Sequence, residues 1–243
     1  MNTESTLQQL RELKLPGMEQ RYRIACGLPV HQQPGAHEMI ALLAEAEVLQ
    51  RQTAKTQMLL QRARIRFHAL PEQIHVSPTR AGLTKEQLLQ LCDCSFIEKS
   101  ENILITGATG CGKSYIACAI GRQACSLGYR TLYFGMNRFI EALATARLDG
   151  TYIKWLNQVA KAHLIILDDF GLQPLDNNIK LTILQILEDR YAKASTIITS
   201  QLPVKNWFEY MKEPTLADAI MDRLTASAHR IELEGKSLRK KEK

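Results

Sequence analysis

Between Gly107 and Ser114 the chain reads Gly-Ala-Thr-Gly-Cys-Gly-Lys-Ser, which fills every fixed position of the pattern G-x-x-x-x-G-K-[ST]. The chemistry this spacing serves is the cradling of a polyphosphate. Glycines let successive backbone N–H groups turn inward around a β-phosphate, and a helix that starts at the loop's end adds its positive pole. In that arrangement Lys113 reaches the β- and γ-phosphates and the Ser114 hydroxyl ligates Mg²⁺. The expected ATP-binding residues are therefore Gly107, Ala108, Thr109, Gly110, Cys111, Gly112, Lys113, Ser114 and Tyr115, with Mg²⁺ as the accompanying ion.

Three further places can complete such a site. The run Leu164-Ile165-Ile166-Leu167-Asp168-Asp169 is apolar and ends in paired carboxylates. This places Asp168 at the tip of a central strand, where it can hold the Mg²⁺ shell, and leaves Asp169 to polarise an attacking water. Related ATPases more often carry glutamate at the second position. The shorter aspartate implies slow hydrolysis. The run Ser195-Thr196-Ile197-Ile198-Thr199 leads into Ser200 and Gln201, and a polar residue at that tip would sense the γ-phosphate; Gln201 is the first candidate and Ser200 the second. Arg223, in the helical segment 219–224, is either an ordinary surface ion-pair partner or an arginine finger that reaches the ATP of a neighbouring subunit.

The elements that must position these residues follow from hydrophobic patterning. Residues 102–106, 131–134, 164–167, 195–199 and 230–233 are short β-rich apolar runs separated by helical segments. Such an order predicts a five-stranded parallel sheet buried between helices. Residues 1–70 read instead as helices broken at Pro16-Gly17, Gly27-Leu28-Pro29 and Gln33-Pro34-Gly35, a small all-helical basic domain. Residues 71–84 have no periodicity and make a linker, and residues 85–243 form the ATPase domain.

Charge and cysteine usage narrow the setting. The net charge of +6 is concentrated, with Arg51, Lys55, Arg62, Arg64 and Arg66 in a stretch without acids and Lys236, Arg239, Lys240, Lys241 and Lys243 near the end. Two basic clusters point to a polyanionic partner or, more plainly, to solvated helix faces and a frayed tail. Cys92 and Cys94 stand one residue apart, too close for the usual zinc-ligand spacing, so the six cysteines read as free thiols. There is no apolar run of about 18 residues and no leader-like start, which implies a cytoplasmic protein with no membrane partner.

Taken in order, these elements resemble the AAA+ ATPases, and within them the branch of DnaC-like helicase loaders and IstB-like transposition helpers. The similarity to the IstB-like family rests on Gly82-Leu83-Thr84-Lys85, the loop itself, Leu167-Asp168-Asp169-Phe170-Gly171, Asp189-Arg190-Tyr191, Thr199-Ser200-Gln201-Leu202-Pro203 with Trp207, the segment 219–224, and Gly235-Lys236-Ser237-Leu238-Arg239. Gln201 departs from the family's usual asparagine and Leu238 from a frequent tyrosine. The resemblance implies an AAA+ P-loop core whose ATP sites lie at the interfaces of a homo-oligomer on double-stranded DNA. It also implies a cognate transposase that is recruited and activated for target-site insertion. Only ten residues follow Leu233, too few for the helical lid many AAA+ proteins carry, so a neighbour is expected to enclose the nucleotide. A DnaC-like loader, a small-molecule kinase and a non-hydrolysing switch are the competing readings. If the cluster from Arg51 to Arg66 supplies five phosphate contacts, the log–log salt dependence of duplex binding should have a slope of about −4.5. Charge reversal at Arg62 and Arg64 should flatten it in a fluorescence-anisotropy titration while leaving ATP affinity unchanged.

Overall fold

A computed structural model describes residues 2–74, 82–235, 237 and 238, so the central part of the expected linker and all five residues of the basic C-terminal cluster lie outside the described residues. The chain divides into two compact units, Met1–Met58 and Leu59–Lys243.

The first unit is helical. Helix α1 (Thr3–Glu12) starts on Asn2, whose side chain accepts the Glu4 amide at 3.2 Å. Helix α2 (Pro16–Cys26) has proline at its first position, where no N–H is needed, but Leu15 before it has no side chain able to cap. The missing acceptor comes from α3 (Ala36–Ala63), whose Glu47 takes the Gly17 amide at 2.8 Å and the Met18 amide at 3.3 Å. Arg51, one turn on, donates to the other Glu47 oxygen at 2.8 Å. Burial pushes the Glu47 carboxyl upward, but Arg51 and the two amides outweigh it and hold the group below its usual range. The α2–α3 contact is thus built around one buried carboxylate.

The second unit is an α/β layer structure that begins with the last turns of α3. Helix α4 (Lys85–Cys92) opens on a reciprocal cap, in which the Thr84 hydroxyl accepts from the Gln87 amide and the Gln87 side chain accepts from the Thr84 amide. Short α5 (Ser95–Glu98) precedes β1 (Asn102–Gly107), followed by α6 (Lys113–Ser126), β2 (Thr131–Gly135), α7 (Met136–Leu148) and α8 (Tyr152–Ala160). Then come β3 (Leu164–Phe170), α9 (Asn177–Arg190), β4 (Ser195–Ser200), α10 (Trp207–Met211), α11 (Pro214–Thr225) and β5 (Ala228–Leu233). All pairings are parallel, in the order β2-β3-β4-β1-β5.

The pleat decides which helices cover which face. Ile103, Ile105, Leu164, Ile166 and Ile197 pack with α4 and α6, whereas Leu104, Ile165, Leu167 and Ile198 pack with α7, α9 and α11. Strands covered on both sides read as unbroken apolar runs, which is why the sequence marks them so clearly. The expected five-stranded parallel sheet is present. Its last strand starts two residues earlier than the apolar run, because β5 is an edge: Ile231 and Leu233 are buried while Arg230 and Glu232 are exposed. Arg190, at the end of α9, is buried and pairs with no carboxylate among the described residues. It donates to the carbonyls of Val159, Ala162, His163 and Ser195, so it gathers the end of α8 and the starts of β3 and β4.

Because the folded Glu47 pKa lies below the unfolded value of 4.5, its contribution is complete above that value and fades as pH falls through the folded one. Acid titration of helix content in the full chain should show this loss, and Glu47→Gln, which cannot titrate, should lack that component.

Candidate functional site

The loop after β1 is shaped by three glycines in the left-handed region, Gly107 (φ 144°), Gly110 (φ 84°) and Gly112 (φ 95°). A side chain at these angles is strained, so the motif's glycines are a backbone requirement. Gly112 then leads directly into α6, whose first residue is Lys113. The Lys113 side chain is almost fully buried and donates to the carbonyls of Gly107 at 2.8 Å and Ala108 at 2.9 Å, with Cys111 Sγ 4.0 Å away. Lys113, Ser114, Tyr115, Asp169 and Gln201 line one cavity of about 390 Å³, within the usual range for a small-molecule site. Loop, helix start, acid and polar strand tip therefore converge on one cavity.

The acid pair is positioned by a break in the sheet. The β3–β4 register shifts between Leu167 and Phe170, and Asp169 adopts a left-handed backbone (φ 65°). Thr199 on β4 spans the break. Its hydroxyl donates to Asp168 Oδ1 and accepts from the Asp169 amide at 3.1 Å. From β2 the Tyr133 hydroxyl donates to Asp168 Oδ2 at 2.5 Å. Burial, and then the Asp168 carboxylate, push the Tyr133 hydroxyl above its ordinary pKa range, so it remains a donor. Asp168 is wholly buried, while the Asp169 side chain is about a third exposed. Each Asp168 oxygen accepts one hydroxyl, and a carboxylate offers about four acceptor positions, so lone pairs remain that fit a divalent cation or its water shell.

The sequence-derived residues do not all meet here. Gln201 Oε1 accepts from the Thr109 hydroxyl at 2.8 Å, which ties the tip of β4 to the phosphate loop. Ser200 is fully buried and spent on backbone, donating to Phe170 O at 2.6 Å and accepting from Leu202 N at 3.0 Å. Arg66, grouped by sequence with the basic cluster, stands beside the acids instead. Its Nη1 is 3.9 Å from Asp168 Oδ2 and 3.7 Å from Asp169 Oδ2, with the guanidinium 5.0 Å from the Phe67 ring centroid. Arg62 and Arg64 belong to the same unit, with Arg62 exposed; Arg51 and Lys55 lie in the first unit, Arg51 already paired with Glu47. Arg223 is at the other end of the sheet, sharing a small cavity with Asn102 and Thr196 near the starts of β1 and β4. There it pairs with Glu188 at 2.6 Å and donates to Ala219 O at 2.9 Å.

Tyr133, Thr199 and Arg66 are the contributors to the acid pair that pattern reading assigned elsewhere or passed over. Tyr133 looks like one more apolar strand residue, and only the β2–β3 pairing places it beside Asp168. The thiols of Cys92, Cys94 and Cys118 are pushed up by burial to about 11, about 12 and about 11, and no metal-ligand cluster occurs among the described residues. Nor is any described helix long and apolar enough to cross a membrane.

A parallel sheet in this order, a phosphate loop after β1 and an acid pair at the tip of β3 define a P-loop α/β fold. Residues 8–243 match the family described as IstB-like ATP binding protein, and the chain belongs to that family. A Sinorhizobium fredii protein named as an insertion sequence ATP-binding protein is 39% identical over 243 residues, covering 100% of this chain and 99% of the relative. Among solved structures, DnaI superposes with a TM-score of 0.58 at 19% identity, over 73% of this chain and 94% of that one. The DnaC helicase loader gives 0.57 at 18% identity, over 69% and 98%, and both likenesses concern the fold.

Thr199→Val keeps the volume of a buried residue but strips Asp168 and the Asp169 amide of their shared partner. Denaturant unfolding should register a loss of about 1–3 kcal/mol.

Proposed function

We propose that this chain is the ATP-driven helper of an insertion sequence. It binds ATP on residues 107–115 with Mg²⁺ on Ser114 and Asp168, assembles on double-stranded DNA, remodels it, and recruits and activates the cognate transposase. Insertion-sequence relatives matching the whole length of the chain support the setting. In this reading Lys113 leaves the Gly107 and Ala108 carbonyls for the β- and γ-phosphates, and Mg²⁺ supplies charge neutralisation between them. Asp169, held in a left-handed turn at the cavity wall, orients and polarises the attacking water, while Asp168 stays fixed by Tyr133 and Thr199. Gln201, bonded to Thr109, reports on the γ-phosphate; Ser200 supports the strand tip from behind.

The observation that carries the assembly part is the place of Arg223. It lies near the starts of β1 and β4, whereas the phosphate loop follows the end of β1. An arginine finger there serves the ATP of another subunit, so the sites are completed at interfaces of a homo-oligomer and hydrolysis is slow without one. DNA contacts are assigned to exposed basic side chains of each unit, Lys55 and Arg51 in the first and Arg62 and Arg64 in the second, with Arg66 divided between the acid pair and a phosphate. A helicase-loader role shares the ATPase and differs in substrate; preference for duplex over single strands separates the two.

Mixing inactive partners tests the interface directly. Lys113→Ala and Arg223→Ala should each lack DNA-stimulated ATPase. An equal mixture should recover activity at about a quarter of its sites, those pairing an intact loop with an intact finger across a head-to-tail contact. A mixture as inactive as its components would place Arg223 outside the catalytic site.

A further inference from the structure

The Gly-x-Ser-x-Arg string near the C-terminus is singled out by the sequence but has no part in the chemistry described so far. Its described residues, Gly235, Ser237 and Leu238, lie beside the phosphate loop. After β5, Gly235 takes a left-handed turn (φ 125°), and the Leu238 amide donates to the carbonyl of Gly110 at 3.0 Å. The fit is close on both sides: a Cβ built on Gly110 would stand 2.1 Å from Ser237 Oγ and 2.9 Å from Ser237 Cβ. Just before the turn, a Cβ on Gly107 would stand 2.3 Å from the Leu233 carbonyl. Leu238 also lines the 390 Å³ cavity with Lys113, Ser114 and Gln201, and its side chain is largely exposed over it.

The direction of this hydrogen bond matters. A phosphate loop uses its N–H groups on the ligand, and its carbonyls are left to other partners. Leu238 takes a carbonyl and so consumes none of the donors that a polyphosphate needs. The segment can therefore stay in place while the loop is loaded. Gly110 occupies a free position of the loop pattern, yet here it has two reasons to be glycine: its backbone angle and the seat it leaves for Ser237.

We infer that Ser237 and Leu238 are part of the nucleotide site, a strap that clamps the phosphate loop from its carbonyl side and covers the mouth of the pocket with an apolar side chain. This rests on the reading that the loop holds ATP. The strap slows release of bound nucleotide, so whatever shifts the C-terminal segment sets the lifetime of the loaded state.

The test compares the full chain with Leu238→Pro, which removes the N–H, and Leu238→Ala, which keeps it and removes the cover. A fluorescent ATP analogue is chased from each with excess ATP in stopped flow. Leu238→Pro should release the analogue about two- to ten-fold faster than the parent, the range for one net hydrogen bond. Leu238→Ala should fall between, and Leu238→Met, which restores both features, should match the parent. Thermal unfolding without nucleotide should be the same for the parent, Leu238→Ala and Leu238→Met. It should be lower for Leu238→Pro by no more than the one hydrogen bond it lacks. Faster release from Leu238→Ala at unchanged stability is a result that a merely structural role for the segment would not give. Equal release rates in all four overturn the strap while leaving the ATP site standing. Failure of the parent chain to bind the analogue overturns the ATP reading and the strap together.

Discussion

One hydroxyl holds the chemistry of this molecule in register. Where β3 and β4 part, two consecutive carboxylates must leave the sheet in different directions, and the backbone achieves this by turning left-handed at Asp169. That turn takes Asp169's amide out of the regular ladder, and a buried amide without a partner would cost more than the turn is worth. Thr199 resolves both problems, since its oxygen receives the Asp169 amide while its proton goes to Asp168. With Tyr133 on the second oxygen, Asp168 is clamped from two neighbouring strands. The sheet is then more than a platform, because its three adjacent strands each contribute one member of a single polar cluster.

The same dependence explains what could be read from sequence and what could not. Strands covered on both faces must be apolar throughout, so β1, β3 and β4 announced themselves, and the glycines of the loop are dictated by backbone angles that few other residues adopt. Gly107 to Ser114 and Asp168 were legible for that reason. Tyr133 and Thr199 were not, because a polar residue at a strand position has no local mark that says which strand lies alongside. Arg66 shows the opposite case: placed among basic neighbours in the chain, it also stands beside Asp168 and Asp169 in the fold. Ser200 and Gln201 are adjacent in sequence yet have different tasks, since Ser200, the last residue of β4, bonds back to Phe170, and Gln201, one residue past the strand, meets Thr109.

Charge is handled differently in the two units. In the first, a buried Glu47 is matched by Arg51 and by amides at a helix start, an arrangement in which each carboxylate oxygen has a donor. In the second, the buried cations are held by carbonyls. Lys113 rests on two of them and Arg190 on four, and burial lowers the Arg190 pKa to about 10, still far above neutrality. A carbonyl partner is a dipole and can be left without stranding an opposite charge. For Lys113, proposed to reach a polyphosphate, that is an advantage.

For Arg190 the same choice of partner has an evolutionary consequence. Its acceptors are backbone oxygens of Val159, Ala162, His163 and Ser195, so changes in those four side chains leave its hydrogen bonds intact. Arg190 itself therefore sets no requirement on the side chains at those four positions, while position 190 has no such latitude. A lysine carries one nitrogen where the guanidinium spreads its donors in a planar fork, and it cannot serve carbonyls arriving from three separate segments. The junction of α8, β3 and β4 is therefore written into the chain by a single letter, surrounded by others on which it makes no demand.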